Sequence, residues 1–174
     1  GQAFQSFVTD LEKNQVEYDL GSENIIKDHG GVENGKFVIG QAAYSMVVLP
    51  PMMETLNKPT FDLLRKFVEK GGQLICFSTP NRLDGAEDSK LSELLSAQSV
   101  ISVPTLTKEV IQKYFENKDC LFTFTGGDLY HQRREFADGE LLFLVNSSMN
   151  EVTRGTVSMK GKSVLKLDAM QGKI

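Results

Sequence analysis

The sequence predicts an α/β layer built on a parallel, doubly wound sheet, followed by an antiparallel β-rich segment. Three observations lead there. An apolar run, a helical pattern and a second apolar run follow one another between Tyr44 and Phe77. Beyond Cys120, strand-like runs recur about every ten residues with turn residues between them. The chain has 174 residues, 40% hydrophobic and 24% charged, which is the composition of a globular protein with a core rather than of a disordered one.

The elements follow in order. Phe4, Phe7, Val8 and Leu11 recur at three- and four-residue spacing and predict an amphipathic helix. Val16 to Leu20 reads as a short strand. Asn34-Gly35 between Val32 and Phe37-Val38-Ile39 is a hairpin signal. Met46 to Leu49 is continuously apolar, as expected of a parallel strand covered on both faces, and Pro50-Pro51 ends it. Pro59 to Lys70 predicts a helix with one apolar stripe of Phe61, Leu64, Phe67 and Val68; Pro59 suits its first turn and Gly71-Gly72 its end. Leu74 to Phe77 returns as a second short strand, which makes a β-α-β unit with a right-handed crossover.

A polar loop runs from Ser78 to Asp88, with an Asp84-Gly85 turn signal. A helix through Leu91, Leu94 and Leu95 follows, then one through Val110, Ile111 and Tyr114 with Thr107 as its N-cap. The later strands are expected at Leu121 to Thr125, Leu129 to Phe136, Leu141 to Val145, Thr156 to Met159 and Val164 to Leu167. Gly126-Gly127, Asp138-Gly139, Asn150 and Gly161 separate them, the pattern of an antiparallel sheet that could open a sandwich. The change of character near Cys120 divides the chain into an α/β domain over 1–119 and an antiparallel β segment over 120–174.

Net charge is −4, and the longest basic clusters are pairs such as Arg133-Arg134. A phosphate backbone needs a concentrated basic patch, so no nucleic-acid partner is expected. No stretch reaches the roughly 18 apolar residues of a membrane helix, so no membrane partner is expected either. An amino end without Met, leading at once into a helical pattern, reads as a piece from the middle of a larger protein.

The residues with chemical potential are few. His29 and His131 have no ligand partner at i+2, i+3 or i+4, so no zinc motif is present and no metal is expected. Cys76 and Cys120 lie in apolar runs and read as buried thiols rather than a disulfide framework. A cysteine nucleophile at Cys76 would need a tight glycine elbow and an adjacent base, and its neighbours are Ile75 and Phe77. Glu17 with Asp19 and Asp84 with Asp88 are the carboxylate pairs a glycosidase would require, but they read as solvated loop or strand edge. Asp84, Glu87 and Asp88 lack the spacing of a calcium loop. Gly71-Gly72 closes a helix instead of cradling a phosphate, and no cofactor is expected. Asn146-Ser147-Ser148 has the form of a glycosylation acceptor. Ligands of open α/β sheets sit beyond the carboxyl ends of the strands, and the Ser78 to Asp88 loop lies there. Asn81, Arg82 and Asp84 are therefore the candidate ligand-binding residues; no catalytic residue is assigned.

Two stretches carry a resemblance. Tyr44 to Pro50 (YSMVVLP) and Thr60 to Ile75 (TFDLLRKFVEKGGQLI) resemble the class I glutamine-amidotransferase-like domain of large bacterial glycoside hydrolases. His131-Gln132-Arg133-Arg134, Asp138-Gly139 and Leu142 to Asn146 (LFLVN) are similar to the strands that open a β-sandwich in α-L-rhamnosidase-type enzymes. Leu167-Asp168 and Gly172 are similar to the close of that strand set, where the family often has Trp-Asp-Pro-x-Thr-Gly; this chain has Leu167, Ala169 and Gln171 at the departing places.

The resemblance implies a flavodoxin-like, amidotransferase-like sheet that has lost its nucleophile. It implies catalytic carboxylates on a barrel domain upstream, a β-sandwich downstream, and a parent that is periplasmic or secreted. The chain would then be a non-catalytic accessory segment of a multidomain glycoside hydrolase acting on polysaccharide or oligosaccharide. Its partners would be the other domains of that enzyme and, at its surface, carbohydrate. The alternatives are a stand-alone flavodoxin-like binding or regulatory module using the Ser78 to Asp88 loop, and a cysteine hydrolase using Cys76.

Overall fold

The computed structural model describes residues 1–168 and 171–172. Ala169 lies outside them, as do residues 170, 173 and 174. The chain is mixed α/β, with parallel and antiparallel sheets. It forms two compact units, Gly1–Asp10 with Tyr18–Gln112, and Leu11–Glu17 with Lys113–Ile174. Among the described residues no helix is long and apolar enough to cross a membrane.

The predicted first helix, α1, is Gln2–Lys13. It closes on a Schellman pattern, with Val16 N–H donating to Leu11 O and Gln15 N–H to Glu12 O. Gln15 holds the left-handed position (φ 58°) that glycine usually takes. Val16 to Leu20 joins no ladder among the described residues, contrary to the expected strand. Its alternation marks an extended chain, but the polar side chains pull apart to different partners, as shown below.

Helix α2 is Glu23–His29. Strands β1 (Gly30–Glu33), β2 (Lys36–Ile39) and β3 (Ala42–Tyr44) form an antiparallel meander. Asn34 and Gly35 turn its first hairpin with φ of 50° and 73°, the two positive values a type I′ turn requires.

Strand β4 (Met46–Leu49) leads through β5 (Thr55–Leu56) to helix α3 (Lys58–Glu69), then to β6 (Gln73–Cys76). β4 and β6 are parallel, in register Met46 with Gln73 to Leu49 with Cys76. The stop at Gly71-Gly72 is a second Schellman closure, Gly72 N–H to Phe67 O and Gly71 N–H to Val68 O, with Gly71 at φ 84°. The short pair β7 (Arg82–Leu83) and β8 (Ala86–Glu87) comes next, then helix α4 (Ser89–Leu95) and strand β9 (Val100–Ser102). β9 extends the parallel sheet, giving the order β4-β6-β9. Only three residues long, β9 was not foreseen.

The core of this unit gathers the predicted α3 stripe. Phe61, Leu64 and Phe67 are almost wholly buried against Leu74, Leu49, Leu56 and Leu91. Phe67 also meets Phe37 of the meander edge-to-face, ring centroids 5.7 Å apart. Each such side chain contributes about 1.5–3 kcal/mol by leaving water, so α3 is held chiefly by burial and not by propensity. A short turn α5 (Lys108–Val110), capped as expected by the Thr107 hydroxyl, runs into a single π-helical turn over Ile111–Phe115.

The second unit holds two antiparallel pairs: β10 (Cys120–Thr125) with β13 (Arg154–Met159), and β11 (Leu129–Phe136) with β12 (Gly139–Asn146). Gly126-Gly127 therefore does not turn a hairpin, since β10 pairs with β13. The β11–β12 turn lies at Ala137-Asp138, one residue before the predicted Asp138-Gly139, and Gly139 starts the strand. Val164 to Leu167 forms no strand; Val164 is 96% exposed. Its apolar run signals extension, and among the described residues no neighbouring strand receives it.

Candidate functional site

The candidate loop is a small structure of its own. β7 pairs in parallel with β5, and β7 and β8 pair across Asp84-Gly85 (φ 50° and 85°), a type I′ hairpin beyond the carboxyl end of β6. Ser78 ties the loop back by donating its hydroxyl to Pro50 O, 2.7 Å, at the end of β4.

Within it, Asp84 Oδ1 accepts from Lys58 N–H, 3.1 Å, in the first turn of α3. The N-cap residue of that helix, Asn57, makes no such bond with its own side chain. Asp84 thus supplies from a distant hairpin the acceptor that a helix start needs. Asp88 does the same locally, its Oδ1 accepting from Lys90 N–H, 2.8 Å, at the start of α4. Both carboxylates of the Asp84–Asp88 pair are thereby engaged on helix ends, where the dipole also favours negative charge. Asn81 and Arg82 donate their backbone N–H groups to Glu54 O, and their side chains are exposed. The hairpin brings Asn81, Arg82 and Asp84 onto one edge, with Asp84 already bonded.

Cys76 ends β6 beneath this edge. It is 2% exposed, and burial pushes its thiol up to about 11. At neutral pH it is a protonated thiol, the opposite of an activated nucleophile. Cys120 is also buried and unpaired, its thiol raised first by burial and then by the charge of Glu17.

A second polar centre escaped the sequence reading. Glu17 and Asp19 go separate ways. Asp19 accepts from the Tyr44 hydroxyl at 2.8 Å, and that phenol is pushed up to about 12 by burial and by the carboxylate. Glu17 instead grips Arg133 of β11 in a two-pronged pair, Nε to Oε1 at 2.8 Å and Nη2 to Oε2 at 2.9 Å. Arg133 Nη1 also donates to Glu135 at 2.6 Å and Glu140 at 3.2 Å. Its side chain is only 12% exposed. Three carboxylates hold the guanidinium more firmly protonated still, and the Arg133 hydrogen bonds hold the Glu17 carboxyl below its usual value.

His131, two residues earlier on the same face, completes the cluster. Gln15 Nε2 donates to Leu129 O and Glu12 O, so Gln15 Oε1 is the acceptor and His131 Nδ1 carries the proton of their 2.7 Å bond. His131 Nε2 faces Glu17 at 3.3 Å, and its ring lies 4.5 Å from Phe122. The cluster is saturated with internal bonds, and its chemistry is that of a structural clasp. Glu17 and Gln15 lie over a hundred residues from β11, so no local spacing could have revealed it. His29, at the end of α2, is exposed.

Asn146, of the glycosylation-like triplet, uses its side chain internally. Its Oδ1 accepts from Asp128 and Ser148 N–H, and its Nδ2 donates to Glu151 O at 2.6 Å. Among the described residues no group of three or more His, Cys, Asp and Glu side chains is placed to hold a metal ion. No family model, curated protein or solved structure matches this chain.

Proposed function

We propose that this chain is a non-catalytic accessory segment of a multidomain glycoside hydrolase acting on polysaccharide or oligosaccharide. The observation that carries the reading is the engagement of the edge where an α/β sheet would do chemistry. Asp84 and Asp88 bond helix starts, and Cys76 is buried and protonated. Such an edge is suited to bracing neighbours rather than to turning over substrate. The sugar context rests on the resemblance of residues 44–50, 60–75 and 131–146 to the amidotransferase-like domain and following strands of such enzymes.

On this reading the β4-β6-β9 layer is the centre of a flavodoxin-like, doubly wound sheet, and the β unit is the opening of a sandwich. The catalytic carboxylates belong to a barrel domain elsewhere in the polypeptide. The parent is periplasmic or secreted, and the exposed side chains of Asn81 and Arg82 border a neighbouring domain or a bound glycan.

The test is the size and activity of the natural protein. Source-cell fractions are separated, probed with an antibody to this chain and assayed on aryl glycosides. The expected result is a band several-fold above 19.3 kDa that co-purifies with glycosidase activity in a secreted or periplasmic fraction. A cytoplasmic band near 19.3 kDa without that activity would overturn the proposal and leave Asn81 and Arg82 as the edge of a stand-alone binding module.

A further inference from the structure

Of the asparagines only Asn34 precedes a glycine. That pairing is reactive. The backbone nitrogen of the following residue can attack the side-chain amide carbon, and a glycine puts no side chain in the way. The structure leaves both groups free. Asn34 is exposed. Glu33 and Lys36 pair across the turn, and among the described residues neither the Asn34 side chain nor the Gly35 N–H has a hydrogen bond.

The comparable groups are engaged. Asn146 uses its side chain in three hydrogen bonds, and the Asn117 side chain bonds Glu17 and the Asp119 N–H. Asp84, before Gly85, holds Lys58 N–H, and a carboxylate is a poorer electrophile than an amide. Gly139, after Asp138, sits in the β12 ladder opposite Phe136. The location of Asn34 gives its reaction a structural consequence. A Cβ on Gly35 would lie 3.4 Å from Lys70 O, so the turn sits at the carbonyl end of α3. The helix dipole opposes a new negative charge there. The same hairpin carries Phe37, which is 2% exposed in the core.

We infer that Asn34 is a spontaneous modification site, whose product is a carboxylate at the carbonyl end of α3. Gly35 N gives up its proton and bonds Asn34 Cγ. The Cγ–Nδ2 bond breaks, ammonia leaves with that proton, and a five-membered succinimide closes. Water then opens the ring at either carbonyl carbon, giving aspartate or isoaspartate. Net charge falls by one from −4. Isoaspartate also inserts one carbon into the backbone of a two-residue turn, whose φ values of 50° and 73° leave no slack for it.

The experiment incubates the chain at pH 8 and 37 °C, natively and in urea, and follows it by ion exchange and by mass mapping of its peptides. The expected result is an acidic variant in the native sample, with a gain of about 1 Da confined at first to the peptide that holds Asn34. That peptide should split into two products, one of them a substrate for an isoaspartyl methyltransferase. The isolated acidic variant should show a lower urea midpoint for the α/β unit than fresh protein. Asn34→Gln, which would have to close a six-membered ring, should suppress the acidic variant; the peptide map of the unsubstituted chain decides the matter should this variant fold poorly. An Asn34 that stays intact in the native chain while it converts in urea would show that the hairpin protects it, and the inference would be overturned. Earlier conversion at another asparagine of the native chain would overturn it as well. An acidic variant as stable as fresh protein would remove the consequence argued for α3 and the turn.

Discussion

At the residue scale the protein hides its most connected side chains behind an unremarkable sequence. Gln15 accepts a left-handed backbone that costs a non-glycine residue roughly 1 kcal/mol, and its amide then fixes the His131 proton and bonds Leu129 O. Glu17 binds Arg133 through both oxygens. Because the folded Glu17 carboxyl titrates below its unfolded value, its contribution to stability is full above the unfolded value, about 4.3. It fades as pH falls from there through the lowered folded value. Urea midpoints of the β unit should therefore drop between pH 5 and 3, and Glu17→Gln should flatten that slope. An unchanged slope would remove Glu17 from the clasp. Arg133→Met should cost about 1–2 kcal/mol, because it removes a two-pronged pair whose carboxylates stay partly solvated. Cys76 gives a second residue-scale expectation. With its thiol at about 11 and 2% exposed, it should resist iodoacetamide at pH 7.5 in the folded chain and react within minutes in denaturant. Fast alkylation of the native protein would revive a nucleophile.

At the element scale two joints hold the α/β unit. A Cβ on Gly72 would lie 2.2 Å from the ring of Phe67, which is fully buried and has no room to move. Gly72→Ala should cost about 2–3 kcal/mol by overpacking, more than Gly71→Ala, whose added Cβ meets open space and bears only the left-handed backbone penalty. Asp84→Ala should cost about 1 kcal/mol, the usual loss of an N-terminal acceptor, lowering the Tm of the α/β unit, which has about a hundred residues, by about 4–8 °C. If thermal melts of Asp84→Ala match the parent, Asp84 is free to serve a ligand. These joints also mark what the sequence reveals. Gly71-Gly72, Asn34-Gly35 and Asp84-Gly85 were legible because their geometry is dictated by a neighbouring residue or two. Asp138-Gly139 was misplaced by one residue, since Gly139 has an ordinary strand partner in Phe136 and needs no special backbone. The partner of Asp84 lies 26 residues away and the partners of Glu17 100 or more, and spacing along the chain carries no trace of either.

At the scale of the whole molecule the two units differ in how much they bury. The α/β unit holds Phe61, Phe67, Leu64, Leu74 and Ile75 almost fully out of water. Among the described residues of the other unit only Leu11, Val16 and Cys120 are buried apolar side chains. Its cohesion comes from strand ladders and the Arg133 clasp, and partly exposed ion pairs add modestly to stability in water. Local unfolding follows the distribution of buried contacts, so the units should open at different free energies. In hydrogen exchange of the 174-residue chain, the amides of Leu74 and Ile75 in β6 should open only with global unfolding. The amides of β11 and β12 should exchange at least about a hundredfold faster, a difference of about 2.8 kcal/mol. Urea unfolding should correspondingly depart from a single transition, as expected for a chain with two cores of unequal size. Uniform protection across β6 and β11–β12 would mean that ladders and ion pairs hold the thinly buried unit as firmly as the apolar core holds the other, and burial would not be what sets local stability in this chain.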